Sequence, residues 1–173
     1  MGEESVITSE RRFRRATMAD LPTMLKIYEH ALKLMASNGN PTQWGDKFPR
    51  EEVVRDDVES QRTVLLVDTV DGEERVLAQF ALCPGIDPTY VNIDGAWLDD
   101  DPYVTIHRIA SSGLAKGAAK DCINWCIEHY GNVRADTHPN NKAMQHVLES
   151  NGFARCGLIQ LLDRPSDTTR IAY

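Results

Sequence analysis

Two stretches constrain the fold of this chain more than any others: HRIASSGLAKGAA at 107–119 and NKAMQHVLESNGF at 141–153. The first reads as a strand running into a loop of small residues that opens a helix. Gly113 and Gly117, followed by Ala118 and Ala119, let backbone N–H groups approach a phosphate without Cβ obstruction. The dipole of the helix behind them favours negative charge at that point. The second stretch reads as a helix that starts on Asn141 and stops at Gly152, with Phe153 opening a new strand. Together they imply a phosphorylated ligand held against the end of a strand.

The rest of the chain supplies the order of elements. After a loose leader (1–10), residues 11–17 read as a strand with basic edges. Thr17 and Asp20 have capping-box spacing. Behind them Leu21, Met24, Leu25, Tyr28, Ala31, Leu32 and Met35 form one helical face that ends near Asn38-Gly39. A polar loop (40–48) carries Trp44, and a second helix is expected over 50–60. Strands at 63–70 and 75–83 meet at Asp71-Gly72 as a hairpin. Residues 84–102 form an exposed connection with room for a short strand at 90–93. A strand at 103–110, a loop and helix at 113–130, a strand at 132–136 and a helix at 140–151 follow. Segments 153–162 and 169–173 close the chain as an antiparallel pair. The order is β-α-α-β-β-β-α-β-α-β-β. That predicts one domain over 1–173, a mixed sheet with helices on both faces, and excludes a doubly wound sheet, which alternates strand and helix from the start.

Composition narrows the partners. A formal net charge of −7 argues against nucleic acid bound on a broad basic face, and is compatible with an amine-bearing substrate. The four cysteines, Cys83, Cys122, Cys126 and Cys156, form no CxxC pair. Cys122 and Cys126, one helical turn apart with His129 close behind, read as core thiols; the alternative is part of a metal face. No stretch is apolar for long enough to span a bilayer, and the first ten residues lack a signal-like apolar core. The expectation is a cytoplasmic protein with reduced thiols and no metal.

This order of elements, with the two stretches quoted above, resembles the GNAT superfamily of acyl-CoA-dependent N-acyltransferases. The likeness runs from about residue 11 to the end and is strongest over 103–157. It implies an α/β (α+β) fold: a mixed, mostly antiparallel sheet with a central splayed parallel strand pair. It implies acetyl-CoA as cofactor and a small-molecule or peptide amine as acceptor. The family's phosphate loop, Gln/Arg-x-x-Gly-x-Gly/Ala, falls on Leu114, Ala115, Lys116, Gly117, Ala118 and Ala119, with Leu114 in place of the Gln or Arg. By the same resemblance Ile109 and Ala110 lend backbone contacts, Gly113 leads into the loop, and Asn141 and Met144 face the pantetheine side. Leu148 stands where many relatives carry a tyrosine acid, four residues before the Gly-Phe pair. The implied reaction is acetyl transfer to a primary amine by direct attack in a ternary complex. The alternative is a module that binds CoA or another ligand without turnover.

The chemistry then needs a base or a proton relay. An amine of pKa ~10.4 is neutral in about one molecule per thousand near pH 7.5, a deficit of ~4 kcal/mol. Strand alternation places Tyr103, Thr105, His107 and Ile109 on one face and Val104, Ile106, Arg108 and Ala110 on the other. His107 is the candidate base or relay, or else a structural histidine bonded to a neighbour. Asp136 and His138 bind an amine or shuttle protons, or else cap the helix that follows. Tyr28 and Trp44 form an aromatic wall for the acceptor, or else belong to the core. Trp97 and the run Asp99–Asp101 draw a cation, or else form a solvated loop. Cys156 as a nucleophile beside His107 lacks an orienting residue. A homodimer through the C-terminal strands is compatible with the pattern.

Overall fold

The computed structural model describes residues 7–44, 49–162 and 164–173. Its strands are β1 (Ile7–Arg15), β2 (Thr63–Val70), β3 (Glu73–Pro84), β4 (Asp94–Gly95), β5 (Val104–Ser111), β6 (Val133–Arg134), β7 (Asp136–Thr137), β8 (Gly157–Gln160) and β9 (Thr169–Ala172). Its helices are α1 (Leu21–Ser37), α2 (Glu51–Glu59), α3 (Ala118–Tyr130) and α4 (Lys142–Ser150). The order is the expected one, with the two-residue β4 added in the connection and the strand between α3 and α4 divided into β6 and β7. Strand β1 begins four residues before Arg11, so residues 7–10 are sheet and not leader; residues 1–6 and 45–48, the latter part of the expected polar loop, lie outside the described residues.

A five-stranded sheet runs β1-β2-β3-β5-β6, and a four-stranded sheet runs β4-β8-β9-β7. Every pairing is antiparallel except β5 with β6. Strands β6 and β7 are one extended segment broken at Ala135. There the Ala135 N–H donates to the Tyr173 carbonyl at 3.1 Å, and the Tyr173 N–H donates back at 2.8 Å. The segment thus leaves β5 after Arg134 and joins the second sheet. The parallel pair is splayed, as the resemblance implied.

Alternation along the central strands fills both sides of the sheet. Val64, Leu66, Phe80, Leu82, Val104 and Ile106 pack with Cys122, Ile123 and Cys126 of α3 and Leu148 of α4. Leu65, Val67 and Ala110 pack with Leu21, Met24, Ile27 and Tyr28 of α1 and Val54 and Val58 of α2. The stripe read for α1 is therefore its buried face. Burial pushes the Cys122 thiol up, and that of Cys126 up to about 12, so both are inert core thiols. Among the described residues no cluster could hold a metal ion. No described helix is long and apolar enough to cross a membrane.

Alternation fails on β5. Its register with β3 slips between Gln79 and Ala81, where Gln79 faces Ala110 and Ala81 faces His107. Two residues, Arg108 and Ile109, therefore oppose Phe80 alone, and Arg108 takes φ +52. This is a β-bulge. It corrects the expected faces: Ile109 packs on the α3 side, while Arg108 reaches α2 on the other. The later elements are also shorter than expected. Helix α4 covers 142–150 and strand β8 only 157–160. The expected loop and helix over 113–130 are found, the loop held by Gly113 and Gly117 at φ +83 and +72 before α3 starts at Ala118. The short strand of the connection lies at 94–95, after a 3₁₀ turn at 88–90. Strand β9 lies between β8 and β7, so the last strand offers no open edge for pairing with a second copy.

Gly95 and Gly157 face each other across β4 and β8. A Cβ on Gly157 would lie 2.1 Å from the Asp94 carbonyl oxygen, and one on Gly95 2.2 Å from that of Cys156. Gly157→Ala is therefore expected to separate β4 from β8 and lower the unfolding midpoint by roughly 4–8 °C, for a strain of about 2 kcal/mol. Gly39→Ala, which also has positive φ but meets nothing within 4 Å, should cost less. Equal losses in a melting experiment would remove the close approach as the cause.

Candidate active site

Where β7 turns away from β5, a cavity of about 420 Å³ opens between the two strands. It reaches both sides of the sheet. Ile106, Ile109, Ile123, Met144 and Leu148 line it on the side of α3 and α4. Asp87, His107, Asp136, Trp44, Arg164 and Arg170 line the remainder.

His107 Nε2 lies 2.6 Å from an Asp87 carboxylate oxygen. Asp87 is itself held by the N–H of Thr89 at 2.9 Å, and its own N–H donates to the Tyr103 hydroxyl at 2.8 Å. Burial pushes the Asp87 carboxyl up, but hydrogen bonding and charge from His107 outweigh it, and Asp87 titrates below the ordinary carboxylate range. An ionised Asp87 holds the proton on Nε2 and leaves Nδ1 as the ring's acceptor. Asp136, partly open to the cavity, accepts from the Tyr90 hydroxyl at 2.6 Å. Burial pushes its carboxyl up, and nearby His107, Tyr90 and Arg170 offset only part of that. The site thus holds two carboxylates shifted in opposite directions, one paired with an imidazole.

The bulge is held from below. The Arg108 guanidinium donates twice to Asp57 of α2, both at 2.8 Å, and Tyr28 donates to the Arg108 carbonyl at 3.1 Å. Asp57 is buried and also accepts from Arg62. The cavity roof is the loop after α1. The Gln43 side chain accepts from Asn40 and Asn141, at 2.8 and 2.9 Å, and its carbonyl accepts from Arg164 and Arg170. One residue so ties this loop to α4 and β9 and sets Trp44 at the cavity wall.

Several expected site residues meet at the cavity: His107, Ile109, Asp136, Asn141, Met144 and Trp44. Asn141 also caps α4 by accepting from the Met144 N–H at 3.0 Å. Others stand elsewhere. Tyr28 is buried behind Trp44, their rings 5.7 Å apart. His138 is buried and locked, its Nδ1 accepting from the Asn140 N–H and its Nε2 facing Asp167 at 3.0 Å. Ala110 belongs to the α1 side of the core. Residues Gly113, Leu114, Ala115, Lys116, Gly117, Ala118 and Ala119 form the turn into α3, outside the cavity. Trp97 and Asp99 already hold a cation, that of Arg134, which stacks on Trp97 and Tyr103 and donates to the Asp99 carbonyl.

Sequence reasoning missed Asp87, Tyr90, Asp57, Gln43, Arg164 and Arg170. Only Asp87 left a local signal: Asp-Pro before a short turn is cap chemistry.

Asp136 gives a pH-dependent test. A carboxyl raised in the folded state destabilises the fold once ionised. That cost is absent below the ordinary carboxylate pKa of ~3.9 and complete above the folded value. Asp136→Asn is expected to raise the melting midpoint by roughly 2–4 °C at pH 8 and leave it unchanged near pH 4. Equal shifts at both pH values would contradict a desolvated carboxylate.

Comparison with known proteins agrees with this architecture. No protein-family model matches the chain, and no curated protein matches its sequence. Solved structures do match. A GNAT-family acetyltransferase from Streptococcus agalactiae is 28% identical and superposes with a TM-score of 0.82, covering 98% of this chain and 96% of its own. A ribosomal-protein-alanine N-acetyltransferase from Brucella melitensis is 17% identical with a TM-score of 0.62, over 93% of this chain and 96% of its own. The protein yncA from Salmonella typhimurium, solved with its cofactor acetyl-CoA, is 17% identical with a TM-score of 0.57, over 94% and 92%. The last two likenesses are of fold alone. The chain is therefore a GNAT-fold protein, resembling the GNAT-family acetyltransferases over nearly its whole length.

Proposed function

We propose that this chain transfers an acetyl group from acetyl-CoA to a primary amine by direct attack in a ternary complex. The observation that carries the reading is the cavity through the parted strands, apolar on the α3–α4 side and bearing the His107–Asp87 pair.

The loop before α3 fits a pyrophosphate. Gly117 takes φ +72 with open space where a Cβ would stand, and the first-turn N–H groups of α3 have no intrahelical acceptor. Asp121 in that turn would repel an anion, but Arg11 pairs with it and also donates to the Lys116 carbonyl at 2.8 Å. Gly117, Ala118 and Ala119 would hold the phosphates. The backbone of Ile109 and Ala110, with Asn141 and Met144, would follow the pantetheine chain. Acetyl-CoA supplies the activated thioester when bound.

The protein's residues handle the amine. The Nδ1 of His107 accepts a proton from the acceptor nitrogen, and Asp87 orients the ring and stabilises the imidazolium. Asp136, fixed by Tyr90, holds the ammonium before that transfer. Leu148, fully buried at the cavity wall, gives the departing thiolate no acid. A thiol of pKa ~8.5 leaves without one at modest cost. The setting we propose is the cytoplasm, consistent with four free cysteines. Leu114 and Leu148 also favour a second reading, a module that binds CoA without turnover. Release of free CoA in the presence of amines separates the two.

His107→Ala is expected to lower kcat by about 10²-fold with acetyl-CoA affinity unchanged. A full-rate variant would remove His107 from the mechanism. Gly117→Glu should abolish acetyl-CoA binding in calorimetry by charge repulsion. Gly117→Asn, which tolerates positive φ without the charge, should retain it. Equal affinities for the wild type and Gly117→Glu would refute the phosphate-loop assignment.

A further inference from the structure

Strand β5 orders the cavity along its length. Val104 and Thr105 are closed by pairing with Val133 and Arg134. Ile106 and Ala135, both lining the cavity, are the first residues past that pairing and form the vertex where the strands part. Ile109 follows, and the strand ends at the glycine loop that leads into α3. A thioester cofactor with its phosphates at Gly117 and its chain along Ile109 therefore brings its acyl end to the vertex. Ile106 and Ala135 pack toward α3 and α4. His107 and Asp136, one residue further on each strand, line the remainder of the cavity. The thioester carbon at this point meets the amine from one side of the sheet, and the rest of the acyl group points to the other.

The cavity continues on that side beyond the vertex. Ile123 of α3 and Leu148 of α4 also line it, both almost wholly buried and in the same core cluster as Ile106 and Ala135. None of these four side chains carries a polar atom. The Ala135 backbone is spent as well, its N–H and carbonyl both bonded to Tyr173, at 3.1 and 2.8 Å. Such a floor offers water too few partners, and apolar cavities of this kind stay dry and take up hydrocarbon. An acetyl group has a single methyl, which meets Ile106 and Ala135 at the vertex and leaves Ile123 and Leu148 uncovered. Resting on the reading of this site as an acyl-CoA site, we infer that this floor is an acyl pocket that favours chains longer than acetyl, of three or four carbons. Burying each added methylene is worth about fourfold in affinity. Ile123 and Leu148 close the pocket, so long chains are excluded.

The test is calorimetric binding of free CoA and of its acetyl, propionyl, butyryl, pentanoyl and decanoyl thioesters, which needs no acceptor. Butyryl-CoA is expected to bind about tenfold or more tighter than acetyl-CoA, with propionyl-CoA between them and decanoyl-CoA weaker than butyryl-CoA. Leu148→Phe, which fills the floor, should bring the butyryl-to-acetyl ratio close to one with acetyl-CoA affinity nearly unchanged. Ile123→Val, a mild core change that keeps the fold, should raise pentanoyl-CoA relative to butyryl-CoA by about fourfold. If the four residues serve only the core, the variants change the melting midpoint and leave the chain-length ratios as they were, which overturns the proposal. So does acetyl-CoA binding as tightly as butyryl-CoA in the wild type, with the acyl-CoA reading intact. Decanoyl-CoA as the tightest ligand overturns the closed pocket. If neither free CoA nor any thioester binds, the underlying reading falls as well.

Discussion

Everything in this site depends on one change of partner. Strand β5 holds its parallel neighbour at Val133 and Arg134, and the very next residue, Ala135, is bonded on both its backbone groups to Tyr173. A strand cannot satisfy two sheets at one place, so β7 follows β9 and the sheet parts. Backbone groups left along the far half of β5 must find other partners or face a ligand, since an unmade buried hydrogen bond costs about 1–3 kcal/mol. The cavity is the result.

The bulge at Arg108 completes the opening. A non-glycine residue at φ +52 is strained by about 1–3 kcal/mol and persists only where its surroundings fix it. Here the bidentate pair with Asp57 and the Tyr28 hydroxyl do so. Removing Asp57 alone would leave a half-buried guanidinium unmatched, a loss of several kcal/mol for a buried pair. Because two successive residues point to one side of the sheet, His107 faces the acceptor half while Ile109 faces the α3 side. Without the bulge both would share a face, and the cavity would lose either its imidazole or its apolar floor.

The sequence exposed what is local. Hydrophobic periodicity gave α1 its buried face, Thr17 and Asp20 marked its start, with the Thr17 N–H on the Asp20 carboxylate at 2.8 Å, and Gly113 and Gly117 marked the turn into α3. His107, Asp136, Asn141 and Trp44 could be named because each follows a strand end, a cap or a loop with its own pattern. What stayed hidden is set by long separations. Asp87 meets His107 across 20 residues, Asp57 meets Arg108 across 51, Asn141 meets Gln43 across 98, and Arg170 meets Gln43 across 127. Within EEVVRDDVE, Asp57 looks like any solvated helix carboxylate. Arg108 looks like one more alternating strand residue, because a bulge without glycine leaves no mark in the sequence.

The most direct measurement is thermal unfolding with and without acetyl-CoA. At about 100 times the dissociation constant, binding adds ~2.7 kcal/mol to stability. For a chain of this length that is roughly 5–10 °C in the midpoint. The account predicts a rise of that size, abolished in Gly117→Glu. An unchanged midpoint at millimolar acetyl-CoA would contradict it, and the parted strands would then serve some ligand other than an acyl thioester.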